Sequence, residues 1–224
     1  MCDDLAVISQ HDGTDRVHHP VFARLYSRLA AAAEAAGAAA HRQELLEGLR
    51  GRVAEVGAGP GTNFSYYPPA VRQVVAVEPE PYLRRLAGAA AGAAGVPVQL
   101  VGGTAGSLPL ASGWADAVVF SLVLCSVASP ADALAEAARV LVPGGELRFY
   151  EHVRAESRRT ARGQDLLDRP WSCMAGGCHP NRDTVAAIAE AGFAVTGLRR
   201  FTFVPRSIPL PVAPHVIGRA ARPA

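Results

Sequence analysis

Short apolar runs alternate with amphipathic stretches along most of the chain after residue 50. Runs such as DAVVFSLVL contain no regular polar positions, which is typical of strands covered on both faces of a sheet. Between these runs, apolar residues recur every three or four positions and predict helices over 82–94, 131–140 and 181–191. This alternation predicts an α/β fold with a doubly wound sheet. Its predicted strands are residues 53–56, 73–78, 98–101, 117–122 and 146–152, with two late strands near 193–203 and 212–220.

Two segments fall outside this alternation. Residues 20–49 carry Val21, Phe22, Leu25 and Leu29 at helical spacing, which predicts a helical cap before the first strand. Residues 153–180 begin with a charged run, which predicts a solvated face, and end in DRPWSCMAGGCHP, which predicts a lid. We therefore expect one domain over 1–224, divided into a cap (1–50), a core (51–152) and a lid with a C-terminal helix and strand pair (153–224).

Composition narrows the classes of function. The 224 residues are 50% hydrophobic and 19% charged, with a net charge of +2 and scattered arginines, which does not indicate nucleic-acid binding. Lysine does not occur, so Schiff-base and P-loop mechanisms are excluded. No uninterrupted apolar run reaches the ~18 residues of a membrane span. The four cysteines are too unevenly spaced for a disulfide scaffold, so we expect a reduced, cytoplasmic protein, with its oligomeric state left open.

A glycine-rich loop directly follows the first predicted strand. It reads Glu55-x-Gly57-x-Gly59-x-Gly61, whereas the dinucleotide fingerprint would need its third glycine at Thr62. Such a loop places unpaired backbone N–H groups and a helix N-terminus at the carboxyl edge of the sheet, where a cofactor can bind. Glu78, at the end of the second strand, predicts a pair of hydrogen bonds to ribose hydroxyls, a device that NAD-binding proteins share.

Four ordered motifs carry a family resemblance: EVGAGPGTN, VVAVEP, GTAGSLPL with ADAVVFSLVLCSV, and ARVLVPGGELRFYEHV. Together they resemble the class I S-adenosylmethionine-dependent methyltransferases over roughly residues 50 to 153. That resemblance implies a Rossmann-like seven-stranded sheet and S-adenosyl-L-methionine as the cofactor. Within the superfamily, the stretches NFSYYP, LVLCSV, EHV, DRPW and GC…NR resemble the small-thiol S-methyltransferase group called methyltransferase-like protein seven. Animal members of that group begin with a hydrophobic membrane anchor, whereas the first residues of this sequence are polar. The resemblance therefore does not imply membrane attachment here, and it leaves the acceptor open.

The resemblance also implies roles for individual cofactor-binding residues. The methionine part would lie on the glycine loop, the ribose on Glu78, and the adenine between Pro79 and the Thr104–Ala105 pair. Ser121 and Leu122, which end the fourth strand, would border the sulfonium. The glycine-loop set consists of Glu55, Gly57, Ala58, Gly59, Gly61, Asn63 and Phe64.

The acceptor side is predicted from the cap, the lid and the ends of strands four and five. His152 ends the fifth strand and is the candidate general base. The substrate-binding candidates are Phe22, Tyr26, Cys125, Trp171, Cys178 and His179. Cys173, Cys178 and His179 have the local spacing of metal ligands, but zinc requires four ligands and no second pair lies at usable spacing, so no metal is predicted.

These observations favour methyl transfer to a small, fairly apolar acceptor, with a thiol as the leading candidate. Transfer to oxygen, nitrogen or carbon of a small molecule or a lipid- or quinone-type acceptor is the alternative. An NAD-dependent oxidoreductase is a further alternative, which Thr62 and the turn at 143–145 disfavour. The last hypothesis is that the chain is a cofactor-binding subunit without activity of its own.

Overall fold

The structure is a computed structural model that describes residues 20–204 and 210–223. The side chains of residues 20–22 and 210 lie outside this description. The predicted substrate contact of the Phe22 side chain therefore lies outside the described residues.

Seven strands form a single sheet in the described part of the chain, and six α-helices accompany them. The helices are α1 (Pro20–Ala33), α2 (Ala39–Leu46), α3 (Pro81–Gly92), α4 (Pro130–Val140), α5 (Arg158–Met174) and α6 (Thr184–Glu190). The strands are β1 (Gly51–Val56), β2 (Val71–Val77), β3 (Val98–Val101), β4 (Ala115–Ser121), β5 (Leu141–His152), β6 (Ala194–Thr202) and β7 (Pro214–Ala221). Among the described helices, none combines the length and apolar character needed to cross a bilayer.

The strand order is β3-β2-β1-β4-β5-β7-β6, which confirms the predicted Rossmann-like, doubly wound sheet. Strands β1 to β5 are parallel, whereas β7 runs antiparallel to both β5 and β6. The chain builds outward from β1 through β2 to β3, then returns to the other side of β1 with β4. The reversal between β1 and β4 is a topological switch point, where ligands bind beyond the carboxyl ends of parallel strands.

Two apolar layers cover the two faces of the sheet. One contains Phe120, Phe149 and the buried side of α4. The other contains Val119, Tyr150 and residues from the end of α2. Because neighbouring residues on one strand alternate between the layers, the central strands need apolar side chains at nearly every position, which explains their uninterrupted apolar runs.

The segment 153–180, for which no helix was predicted, contains helix α5. Apolar periodicity missed it because Leu166 and Leu167 are exposed, while the buried residues of the helix are Ala161 and Gln164. The Gln164 side-chain amide donates to the carbonyls of Val153, Pro180 and Pro211. A polar residue, and not an apolar stripe, therefore anchors this helix.

The N-terminal helical cap is confirmed as two helices joined by a π-helical turn at Glu34–Ala38. The break falls at Gly37, whose φ of 110° is a conformation that side chains disfavour. Helix α2 is bonded to the sheet by Arg148 of β5, whose guanidinium donates to the carbonyls of Leu45 and Glu47. These bonds satisfy carbonyls that the end of the helix leaves without partners.

We predict that Arg148→Met lowers the free energy of unfolding by about 2–3 kcal/mol, because the buried carbonyl of Leu45 and the partly buried carbonyl of Glu47 lose a charged donor. Urea denaturation measures the change. Arg72→Met is the matched control, since the Arg72 side chain is 72% exposed and lies 3.5 Å from Asp116. We expect this control to change the free energy by less than about 0.5 kcal/mol. Equal effects of the two substitutions would contradict the anchoring role of Arg148.

Candidate functional site

A cavity of about 1050 Å³ lies at the carboxyl edge of the sheet, between the N-terminal helices and the segment after α5. This volume exceeds that of most small-molecule sites and suits a cofactor together with an acceptor. Many of the predicted site residues line it: Tyr26, Gly57, Gly59, Glu78, Pro79, Thr104, Ala105, Leu122, His152, Trp171, Cys178 and His179. A depression of about 1170 Å³ at the opposite edge is lined by none of the predicted residues in the described part of the chain.

The glycine loop forms one end of the cavity. Gly57 and Gly59 have φ values of 68° and 57°, which favour glycine. A Cβ atom on Gly59 would also lie 3.4 Å from the Tyr26 ring, so the backbone and the cap helix approach closely here. The loop is bonded to β2, because the N–H of Gly57 donates to the carbonyl of Val77 at 2.8 Å.

Glu78 fixes the loop from the end of β2. Its carboxylate oxygens accept hydrogen bonds from the backbone N–H groups of Gly59 at 2.7 Å and Glu80 at 2.9 Å. Burial raises the pKa of Glu78, while these two N–H groups oppose the shift. Each carboxylate oxygen keeps a lone pair for a further donor, so the carboxylate can also receive a ligand hydroxyl.

Glu55 and Asn63 are placed differently from the prediction, because neither side chain lines the cavity. The Glu55 carboxylate accepts hydrogen bonds from Asn63 Nδ2 at 2.9 Å and from the Tyr67 hydroxyl at 2.7 Å. Both oxygens thus accept a hydrogen bond from the protein, and this carboxylate, which was predicted to bind the cofactor together with the glycine loop, does not line the cavity. The pair instead holds the glycine loop from beneath.

Other predicted cofactor and substrate residues also lie behind the cavity wall. Ala58 and Phe64 are buried in the layer around Tyr150, and Gly61 packs against Phe64. Ser121 is buried at the end of β4, and Cys125 is fully buried beyond it. Position in the sequence motif placed these residues near the site, and the fold places them directly behind the residues that line the cavity.

Arg42 is a cavity residue that the sequence interpretation missed. Its guanidinium donates to Glu34 Oε1 at 2.6 Å, Asn63 Oδ1 at 2.7 Å and Ser121 Oγ at 3.1 Å. A signal was available, because Arg42 shares the buried face of α2 with Ala38 and Leu45 at helical spacing. A charged residue on such a face needs buried partners, which marks it for a structural or binding role.

Leu122 carries backbone strain at the centre of the site. Its φ of 61° is rare for a residue with a branched side chain. A 2.7 Å hydrogen bond from its N–H to the carbonyl of Tyr150 holds this conformation. Residues kept in such conformations cluster at functional sites.

The predicted catalytic residue His152 meets two cysteines at the cavity wall. Its Nδ1 lies 3.5 Å from the sulfur of Cys125 and 3.5 Å from the sulfur of Cys178. The two sulfurs are 3.9 Å apart. Hydrogen bonding from Cys125 and the neighbouring His152 lower the pKa of Cys178, while the pKa of Cys125 is raised well above its usual value. A single negative charge is thus favoured on Cys178.

The lid residues divide between this cluster and the surface. Trp171 packs against the cysteines, whereas Cys173 is exposed. His179 points away from the cysteine pair, with its Nδ1 2.9 Å from Asp168. The structure therefore does not bring Cys173, Cys178 and His179 together as one ligand set. The cluster it does form spans segments too far apart in sequence for local spacing to reveal.

Comparison with known proteins assigns a family to this architecture. A model described as "Methyltransferase domain" matches residues 54–149. The chain is 36% identical to human thiol S-methyltransferase TMT1B over 183 residues, covering 79% of this chain and 74% of the relative.

Two solved structures share the fold. A protein from Bacillus halodurans C-125 has a TM-score of 0.69 at 18% identity, covering 83% of this chain and 98% of that one. A SAM-dependent methyltransferase from Thermotoga maritima has a TM-score of 0.67 at 23% identity, covering 90% and 98%.

Glu55 gives the site a measurable pH dependence. Burial raises its pKa to about 7, against the opposing hydrogen bonds from Tyr67 and Asn63. Between about pH 4.5 and pH 7, the folded protein therefore holds a proton that the unfolded chain has lost, and rising pH lowers the free energy of unfolding. The full loss, reached above about pH 7, is about 3 kcal/mol.

We predict that Glu55→Gln removes this pH dependence. Between pH 4.5 and pH 8, the free energy of unfolding should then fall by about 3 kcal/mol less in the variant than in the parent protein. Urea denaturation at both pH values gives the difference, in which all other titrations cancel. Parallel pH dependences of the parent and variant would show that Glu55 is ionised throughout.

Proposed function

The chain belongs to the class I S-adenosylmethionine-dependent methyltransferases, and on that premise we propose that it methylates the sulfur of a small, fairly apolar thiol. The relative TMT1B is a thiol S-methyltransferase and matches across 79% of this chain. This match extends beyond the cofactor-binding core, so it includes segments that form the acceptor side of the cavity. It is the observation that carries the proposal.

The cavity fits the cofactor at its glycine-loop end. A side chain at Gly59 would meet Tyr26. The loop therefore leaves space for a ligand because residue 59 has no side chain. We propose that Glu78 holds the ribose and that the Thr104–Ala105 segment meets the adenine. Arg42, a buried cation on the cavity wall, is suited to the carboxylate of the methionine part.

When bound, S-adenosylmethionine supplies a methyl group on a positively charged sulfur, which a soft nucleophile accepts by in-line displacement. The chain's own contribution is then positioning and exclusion of water. Tyr26 of α1 and Trp171 of α5 close the cavity from two sides. His152 has its Nδ1 engaged with both cysteine sulfurs, so we propose that the acceptor is activated by the cluster and not by His152 as an isolated base.

The charge of the cavity wall favours a neutral acceptor. Arg42 and Arg182 are the arginines among the described residues that line the cavity. Arg182 donates to the carbonyls of Leu124 and Val127, at 2.8 and 2.7 Å. Recognition of a phosphate or a free amino acid would require charged donors that are available to the ligand. An apolar thiol makes no such demand.

Family membership decides against the NAD-dependent oxidoreductase. Methylation of oxygen, nitrogen or carbon stays an outcome of the acceptor screen described below, as does a subunit without turnover. The proposed partner is a small-molecule acceptor, with no nucleic acid. A reducing cytoplasmic location stays a prediction, and it agrees with the free thiols of Cys125, Cys173 and Cys178.

We predict that Glu78→Ala weakens S-adenosylhomocysteine binding by roughly 10- to 150-fold, which corresponds to about 1.5–3 kcal/mol for lost hydrogen bonds to a charged acceptor. Calorimetric titration measures the dissociation constant. Glu44→Ala is the control, because Glu44 forms an exposed ion pair with Arg199 outside the cavity. An unchanged dissociation constant for Glu78→Ala would refute its assignment to the ribose.

We predict that thiols are methylated when thiols, phenols, amines and carboxylic acids are screened with labelled S-adenosylmethionine. Gly59→Val should lose turnover with every acceptor, because its side chain would occupy cofactor space, and it controls for background transfer. Methylation of a phenol or an amine, with no thiol accepted, would overturn the thiol assignment. Purified chain with no turnover on any acceptor would favour the subunit without activity.

A further inference from the structure

Two cysteines and a histidine from three separate segments meet at the cavity wall. Cys125 follows β4, His152 ends β5 and Cys178 follows α5. The two Sγ atoms and His152 Nδ1 form a nearly equilateral triangle, with edges of 3.9, 3.5 and 3.5 Å. Thiolate sulfur and imidazole nitrogen are the ligand types that zinc prefers in proteins. Magnesium and calcium prefer oxygen ligands and do not suit this set.

We propose that this Cys125–His152–Cys178 triangle binds one Zn²⁺ ion and leaves a fourth coordination position open to the acceptor, an inference that rests on the proposed thiol methylation. Tetrahedral zinc, with Zn–S near 2.3 Å and Zn–N near 2.0–2.1 Å, requires about 3.8 Å between two sulfur ligands and about 3.5 Å between sulfur and nitrogen. The observed edges match these values. The ion can therefore enter without rearrangement of its ligands.

The surroundings hold the three ligands in place. The backbone N–H of Cys125 donates to a carboxylate oxygen of Glu151 at 3.1 Å. The carbonyl of Cys125 accepts a 2.7 Å hydrogen bond from the N–H of His179. This bond joins the segment after β4 to the lid beside Cys178. The His152 ring packs edge-on against His215, with ring centroids 4.6 Å apart. Such outer contacts orient metal ligands and sustain their affinity.

One side of the triangle faces the cavity. His152 and Cys178 line the cavity, whereas Cys125 lies behind them and is fully buried. Trp171, also at this wall, packs against the two cysteines. Three protein ligands with an open position are the pattern of catalytic zinc sites.

The ion would activate the acceptor directly. A thiol RSH that binds Zn²⁺ loses its proton to solvent and is held as the thiolate RS⁻. Two protein thiolates, one neutral imidazole and the acceptor thiolate give the centre a net charge of −1, which attracts the positive sulfonium. The acceptor sulfur forms a bond to the methyl carbon as the bond from that carbon to the sulfonium breaks. The products are RSCH₃ and S-adenosylhomocysteine, and no oxidant or reductant is needed.

The test uses Co²⁺ as a spectroscopic substitute for zinc in the full-length protein, under reducing conditions. We expect a single ion per chain, with thiolate-to-cobalt charge transfer in the ultraviolet and the intense visible absorption of tetrahedral cobalt. Cys125→Ser and Cys178→Ser should lose the charge-transfer band in part and weaken binding, while both still bind S-adenosylhomocysteine. Cys173→Ser is the matched control, because Cys173 is an exposed cysteine of α5, and it should leave the spectrum unchanged.

A thiol is ionised to only about 3% at pH 7, so complete ionisation on zinc raises the thiolate fraction about 30-fold. Chelator-treated protein should accordingly lose up to about 30-fold in thiol methylation, and zinc should restore it. Thiol turnover without metal, together with no cobalt absorption, would overturn the zinc site and leave the proposed function intact. Cobalt bound at the cysteines, with no thiol methylated, would support the metal site and overturn the proposed thiol methylation.

Discussion

The site depends on one buried guanidinium. Arg42 lies on the inner face of α2, where its charge must be neutralised within the protein. It bonds to Glu34 of the preceding turn, to Asn63 beyond the glycine loop and to Ser121 at the end of β4. These partners come from the cap, from the segment beyond the glycine loop and from the end of β4. The Arg42 guanidinium therefore fixes the cap helices relative to the edge of the sheet where ligands bind.

The same network reaches the glycine loop from below. Asn63 accepts a hydrogen bond from Arg42 and donates another to Glu55, which also accepts one from Tyr67. From the cavity side, Glu78 accepts the N–H of Gly59. The loop is thus held by one carboxylate that does not line the cavity and by a second that does. Cofactor binding to such a loop requires little reorganisation, which is how a methyltransferase aligns donor and acceptor.

The sheet was predictable from sequence because its central strands are buried on both faces and carry uninterrupted apolar runs. Helix α5 was not, because its buried anchor is the polar Gln164 while Leu166 lies in solvent. Among the candidate site residues, the location of Glu78 and Gly59 at the cavity was predictable, because Glu78 directly follows β2 and Gly59 lies in the loop after β1. Glu55 illustrates the limit of this approach, since a motif gives the position of a residue but not which side of the loop its carboxylate faces.

The cysteine and histidine cluster shows a second limit. Local spacing paired Cys178 with Cys173 and His179, whereas the fold places it beside Cys125 and His152. The latter contacts exist only because the segment after α5 folds back over the ends of β4 and β5. Three-dimensional proximity of residues so distant in sequence follows from topology. The metal site proposed for this protein could therefore be inferred only after the fold was known, whereas a thiol acceptor was already the leading candidate from the sequence.

A crystal structure with S-adenosylhomocysteine and a small thiol would test the central claim most directly, namely that methyl transfer to sulfur takes place in the cavity at the switch point. We expect ribose hydroxyls hydrogen-bonded to Glu78 and the acceptor sulfur lying between the cofactor sulfur and the cluster of Cys125, His152 and Cys178. An acceptor bound away from this cluster, or a cofactor that does not contact Glu78, would contradict it.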